Sequence, residues 1–161
     1  MTTSDMRHHG DDPATPARLR RTPSRLLSLA AAHADRLVGA GLATADARKW
    51  HYAVLAALQE SGPASQATLS RRTGIYRSDL VAVINELAER GHVERAPDAT
   101  DRRRNVITLT GKGRDQLNHL DTLLASLQDD LLAPLDAAER EQLADLLTRL
   151  IAHHSRTTDD T

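Results

Sequence analysis

Between Gly74 and Thr110 the sequence GIYRSDLVAVINELAERGHVERAPDATDRRRNVITLT changes its periodicity in a way few folds accommodate. Leu80, Val83, Ile84 and Leu87 recur at three- and four-residue spacing, which predicts a helix up to Arg90 with one apolar side. Gly91 is its expected stop. Two short strands follow, around His92–Arg95 and Asn105–Thr110. Between them lies a tip carrying Asp98, Asp101, Arg102, Arg103 and Arg104. Val106 and Ile107 break the alternation, but Ile107 and Leu109 can share one face. A helix of this size fits the major groove of DNA. A thin basic finger reaches phosphates and the narrow minor groove.

The rest of the chain has to supply a core almost without aromatic residues. Hydrophobic residues make up 40% of the 161, aromatics only 2%, and there is no Phe. Leu and Ala must therefore fill the interior, and both favour helices. The absence of Cys excludes disulfides, thiol redox sensing and cysteine-ligated zinc. No apolar run approaches the roughly 20 residues that span a bilayer. The N-terminus lacks a signal-peptide core, so a cytoplasmic location is expected. The net charge of −1 conceals an asymmetry. Residues 62–114 hold ten Lys/Arg against six Asp/Glu, whereas residues 115–161 hold three against ten. Positive charge thus gathers on the segment suited to DNA, and the acidic flank disfavours other orientations.

Residues 1–15 read as a polar, disordered tail. Pro16 or Pro23 can open a first helix with Leu26, Leu29, Ala30, His33, Leu37 and Val38 on one face, ended by Gly39 and Gly41. Thr44 or Asp46 can cap a second helix bearing Trp50, Val54, Leu55 and Leu58. Ser65 caps a short helix around Leu69, and Thr73-Gly74 turns into the long helix described above. Thr110-Gly111 opens a helix to about Leu132, rich in Leu. Pro134 breaks it, and Asp136 with Glu139 signals a capping box for the last helix.

Short helix, glycine turn, longer helix is the helix-turn-helix pattern, whose second helix lies in the groove. Opposite the apolar stripe lie Ser78, Val81, Ala82 and Asn85, with Arg77 and Asp79 on the flanks. Ser78 and Asn85 can bond base edges, and Arg77 can bond guanine or a phosphate. The wheel leans Tyr76 towards the core. An Asp two residues before an Arg can clamp that guanidinium, so Asp101 is expected to aim Arg103 while Arg102 and Arg104 meet phosphates.

From about Trp50 to Leu150 the chain resembles the MarR family (multiple antibiotic resistance regulators) of winged-helix transcription factors. The resemblance is carried by WHYAVLAALQESGPASQATLSRRTGI, RSDLVAVINELAERGHVER, APDATDRRRNVITLTGKGR and LDAAEREQLADLLTRL. Its most specific part is Asp-x-Arg followed by a strand ending Leu-Thr-x-x-Gly, here Asp101-Arg102-Arg103 and Leu109-Thr110-Gly111-Lys112-Gly113. It implies a mainly α fold with a small β-hairpin wing. A winged helix-turn-helix lobe, 43–114, joins a helical dimerisation region, 16–42 and 115–155, and a second tail, 156–161, follows. It also implies a homodimer binding a palindromic operator in double-stranded DNA. The DNA contacts would be Ser65, Gln66, Arg77, Ser78, Asp79, Val81, Asn85, Asp101, Arg102, Arg103 and Arg104. The leucine rows at 117–131 and 143–151 are independently too apolar for a small lobe to leave exposed. Repression relieved by a small ligand is the family's common activity.

For an effector, His33, Arg36, Trp50 and His51 offer a ring, a cation and imidazoles suited to a small aromatic acid. The His pairs at 8–9 and 153–154 lie in polar ends with no fixed metal geometry, so neither metal nor cofactor is expected. Nothing resembles a phosphate loop or a catalytic triad, which argues against an enzyme. The alternative reading is a winged-helix module for non-specific DNA binding or protein contact.

Overall fold

A computed structural model describes residues 14–158. The chain runs α1 (Ala17–Arg20), α2 (Pro23–Ala43), α3 (Lys49–Ser61), β1 (Ala64–Ser65), α4 (Gln66–Thr73) and α5 (Arg77–Glu89). It continues through β2 (Val93–Pro97), β3 (Asn105–Leu109), α6 (Gly111–Leu131) and α7 (Ala137–Thr158). The three strands form one antiparallel sheet ordered β1-β3-β2, with Ala64 opposite Ile107 and Val93 opposite Leu109. The two-residue β1 carries no period of its own and was not legible beforehand. The expected tail at 1–15 lies outside the described residues except for Ala14 and Thr15, and Thr15 is buried. The last helix continues to Thr158, into the stretch expected as a tail.

Leu fills the core as expected, but Val and Ile complete it more than Ala does, with Ala47 and Ala64 buried. Leu42, Leu55, Leu69, Leu80, Ile84, Ile107 and Leu120 are fully buried, drawn from six elements. The stop after α5 is a Schellman motif: Gly91 N–H bonds Ala88 O, and His92 N–H bonds Leu87 O. Gly91 has φ 74°, which a side chain would resist, and the turn aims the chain into β2.

Two expectations about the first helices fail for physical reasons. Gly39 and Gly41 do not end α2, which runs through both to Ala43. Gly41 instead gives α6 room, because a methyl there would collide with the Leu127 side chain. Neither Thr44 nor Asp46 caps α3. Thr44 Oγ1 donates to Gly41 O, Asp46 turns the chain at φ 52°, and the cap position falls to Arg48.

The Leu-Thr-x-x-Gly segment is a joint. Thr110 caps α6 by accepting Gly113 N–H on Oγ1 at 3.0 Å, and the same hydroxyl donates to Gly91 O at 2.6 Å. Thr110 N–H donates to His92 O. Gly113 lies against that carbonyl so closely that any Cβ would overlap it.

Gly113→Ala should therefore destabilise the protein by roughly 1–3 kcal/mol, because backbone must yield. Gly41→Ala should cost less, since a leucine side chain can rotate and alanine favours helix. Urea unfolding at fixed protein concentration measures both, and equal effects would contradict the joint.

Candidate nucleic-acid interface

The exposed side of α5 follows from its buried one. Leu80, Val83, Ile84 and Leu87 are at most 1% exposed, so Arg77, Ser78, Val81, Ala82 and Asn85 face outward. Beside them, Ser65, Gln66, Ala67, Arg77, Arg103, Arg104 and Asn105 line a depression of about 480 Å³. Residues from α4, α5 and the hairpin, far apart in sequence, thus share one basic groove.

Several expected contact residues hold the architecture as well. Ser65 Oγ accepts Thr68 N–H at 3.2 Å and donates to Thr68 Oγ1, so its hydroxyl is occupied as the α4 cap. Asp79 is half-buried in the first turn of α5, where a carboxylate complements the helix dipole rather than a phosphate. Asp101 does not fork the Arg103 guanidinium. It accepts Arg103 backbone N–H on Oδ1 at 3.0 Å and pairs through Oδ2 with Arg104 Nε at 3.7 Å. An Asp followed two residues later by any residue can close this turn, and backbone geometry favours it over the longer side-chain reach. Asp98 accepts the N–H and hydroxyl of Thr100, which hold its carboxyl below the usual carboxylate range, and its own N–H donates to Arg104 O. The tip is therefore a built turn, with Arg102 and Arg103 exposed.

Asn85 is exposed but engaged: its Oδ1 accepts from Arg95 Nη2 at 2.5 Å. Arg95, on β2, was absent from the expected contacts because the sequence cannot show which strand residue crosses to the helix. Tyr76, expected to lean inward, is 80% exposed at the N-cap of α5. The wheel fails there because the cap precedes the first helical turn.

His51 is corrected too. It is 2% exposed, and both ring nitrogens are used inside the protein. Nδ1 accepts Arg48 N–H at 3.0 Å, so the proton sits on Nε2, which donates to Glu86 Oε2 at 2.6 Å. Arg48 Nη2 donates to the same oxygen at 2.6 Å. His51 thus ties the start of α3 to the middle of α5 and is not open to a ligand. Of the other expected effector residues, Arg36 Nη2 lies 3.0 Å from His33 Nδ1, and Trp50 is 42% exposed. An ion pair of Lys49 with Asp35 sets the start of α3 beside the His33–Arg36 turn of α2. These residues line neither the basic groove nor the apolar depression between α2 and α7.

Burial lowers the pKa of His51, opposed by its hydrogen bond to Glu86. Burial, then Lys112 and Arg90, lowers that of His92. In the unfolded chain both titrate near 6.5. The unfolded state therefore takes up protons first as pH falls. The stability they contribute is complete above about pH 6.5 and is lost towards their lower folded values. Hydrogen bonds from Arg48 and His51 lower the pKa of Glu86 below 4.5, so its contribution is lost only in stronger acid. The urea midpoint should be flat from pH 8 to 7 and fall between pH 6.5 and 5. His51→Gln should lower the midpoint at pH 8 yet fall less steeply on acidification, and an unchanged slope would exclude His51 as a source.

Residues 46–104 match the model of the MarR family. Over 106 residues the chain is 33% identical to a protein of Thauera aromatica assigned as a transcriptional regulatory protein for the hcr operon, covering 66% of this chain and 64% of that protein. The chain thus spans a little under two thirds of that curated relative. A solved structure of a probable transcriptional regulator from Pseudomonas aeruginosa is 30% identical, with a TM-score of 0.74 over 83% of this chain and 99% of that one. The PcaV transcriptional regulator of Streptomyces coelicolor, solved in complex with its natural ligand, is 28% identical, with a TM-score of 0.72 over 83% and 94%. With its helix pair, β-hairpin and flanking long helices arranged as in these relatives, the chain belongs to the MarR family.

Proposed function

We propose that the protein is a sequence-specific DNA-binding transcriptional regulator, acting in the cytoplasm as a repressor and carrying no catalytic activity. The observation that carries this reading is the convergence of Gln66, Arg77, Arg103 and Arg104 on one groove beside the exposed stripe of α5. An exposed recognition stripe of Ser78, Val81 and Asn85 offers hydrogen bonds and an apolar contact for base edges. The wing arginines supply charge for phosphates or the minor groove. The family membership supports the same reading.

A homodimer follows from α7. None of its described side chains is fully buried, and Leu146, Leu150 and Ile151 are 46%, 46% and 66% exposed. On α1 and α2, Leu19, Leu26 and Leu27 are similarly open. Leu27, Leu147, Leu150 and Ile151 border a depression of about 440 Å³. An isolated 22-residue helix with such a stripe needs a partner surface, and a second copy of the same helices provides one. The two lobes would then read the halves of a palindrome about one DNA turn apart. Residues 16–42 and 115–155 form the dimerisation region in this reading, and 43–114 the reading lobe.

The effector is a small aromatic acid received near His33, Arg36 and Trp50, where a cation, an imidazole and an exposed indole lie on adjoining helices. His51 is no longer part of this set. The ligand complex of PcaV supports an effector for this chain. A non-specific DNA-binding or protein-contact module remains the second reading, favoured only by the run of three arginines in the wing.

Selection from a random duplex pool tests the main proposal by enriching a palindrome. On that duplex, Arg103→Ala should weaken binding by about 1–3 kcal/mol. Loss of a phosphate contact would also reduce the salt slope by about 1. Asp101→Ala should lose part of the affinity by loosening the tip, without a DNA contact of its own. Equal enrichment of all sequences, or wild-type affinity in Asp101→Ala, would count against the proposal. Thermal unfolding covers the partner and the ligand. A dimer gives a midpoint that rises with protein concentration, and an aromatic carboxylate raises it further in wild type but not in Trp50→Ala. A midpoint independent of concentration sinks the dimer, and no response across a panel of aromatic carboxylates removes the effector site.

A further inference from the structure

We propose that Arg95 and Asn85 form one reading unit, in which Arg95 converts Asn85 from an adenine reader into part of a guanine reader. The inference rests on the DNA-binding reading above. An asparagine amide carries one acceptor oxygen and two N–H donors. Left free, it matches adenine, which presents an acceptor at N7 and a donor at N6 in the major groove. Asn85 is not free, because its Oδ1 accepts from Arg95 Nη2 at 2.5 Å. A guanidinium has donors only, so the amide oxygen must be the atom that faces it. The orientation of Asn85 is thereby fixed, with Nδ2 as the group left to donate.

Both side chains are exposed, and Asn85 shares the outer stripe of α5 with Ser78, Val81 and Ala82. Arg95 lies mid-strand in β2, opposite Ile107, so the sheet holds its backbone in place. A base meeting this pair encounters donors from both partners. Guanine answers with two acceptors, O6 and N7. Adenine answers with one acceptor and an amino group that points its hydrogens at a cation. The second lone pair of Oδ1 does not restore adenine reading, because the N6 amino group would have to approach beside the guanidinium. Arg95 is thus a positioning residue for Asn85 and a source of positive charge for guanine N7.

The test uses the full chain and a random duplex pool, sequenced after selection. The relevant position is the one whose preference disappears in Asn85→Ala. Wild type should enrich a G·C pair there. Arg95→Met, similar in length but unable to donate, should shift the preference towards A·T by about tenfold, the scale of one good bidentate contact. Arg95→Lys keeps a donor and should keep G·C. Because Arg95 is exposed, the fold should survive these changes. An A·T preference in wild type would overturn the proposal. So would the absence of any position responding to Asn85→Ala, or a uniform loss of affinity in Arg95→Met with preference unchanged. In those cases wild-type enrichment leaves the DNA-binding reading standing, whereas no enrichment by wild type removes both.

Discussion

Everything on the candidate interface depends on how α5 is rotated about its own axis. Four side chains set that angle: Leu80, Val83, Ile84 and Leu87 are all essentially inaccessible to water. Each contributes about 1.5–3 kcal/mol when buried in this way. Turning the helix by one residue, roughly 100°, would expose part of this stripe and carry Arg77 and Val81, or Asp79 and Glu86, inward instead. The outward stripe is therefore set by the inward one. The His51–Glu86–Arg48 cluster adds direction that apolar packing lacks, because Glu86 Oε2 receives two hydrogen bonds from the start of α3. Packing alone tolerates small rotations; a shared carboxylate oxygen at 2.6 Å from both donors does not.

Polar residues on this surface divide into those used by the architecture and those left available. Ser65, Asp98 and Asp101 bond neighbouring backbone, and the oxygen of Asn85 is held by Arg95. Arg77, Arg102 and Arg103 stay exposed. The acids at the hairpin tip shape the turn locally, while the cations project from it. That arrangement reconciles three adjacent like charges with a folded turn, since Asp101 lies close enough to Arg104 to offset part of the repulsion. At 73% and 46% exposure this pair is screened by water and adds little to stability.

The sequence revealed what depends on local periodicity. The apolar spacing in α5, the Ser65 and Thr110 caps, the Asp136–Glu139 box and the two hairpin strands all express themselves within a few residues, and the structure contains each. What stayed hidden depends on contacts across the chain. Gly41 looked like a helix end because its partner, Leu127, is distant in sequence. His51 looked like a ligand residue on a helix face because Glu86 is 35 residues away. Arg95 looked like an ordinary strand residue because its reach to Asn85 requires knowing how β2 lies along α5. Asp101 failed differently: two bonds were open to it, and the choice between backbone and guanidinium is made by turn geometry that residue types do not state.

The joint at Thr110 and Gly113 extends the same logic from the interface to the rest of the molecule. Three bonds and one close approach unite the end of α5, the start of β2, the end of β3 and the start of α6. The Gly91 carbonyl, the His92 carbonyl and the Thr110 hydroxyl leave little freedom between these elements. A tilt of α6 would then carry the hairpin and the C-terminal end of α5 with it, rather than bending the chain between them. The far end of the molecule is different in kind. There α7 exposes leucines and packs lightly on its own chain. Hydrogen-bonded restraint is therefore concentrated where the end of α5, the hairpin and the start of α6 meet. In the proposed dimer, a change at the helical end would alter the spacing of two reading surfaces that this junction keeps intact.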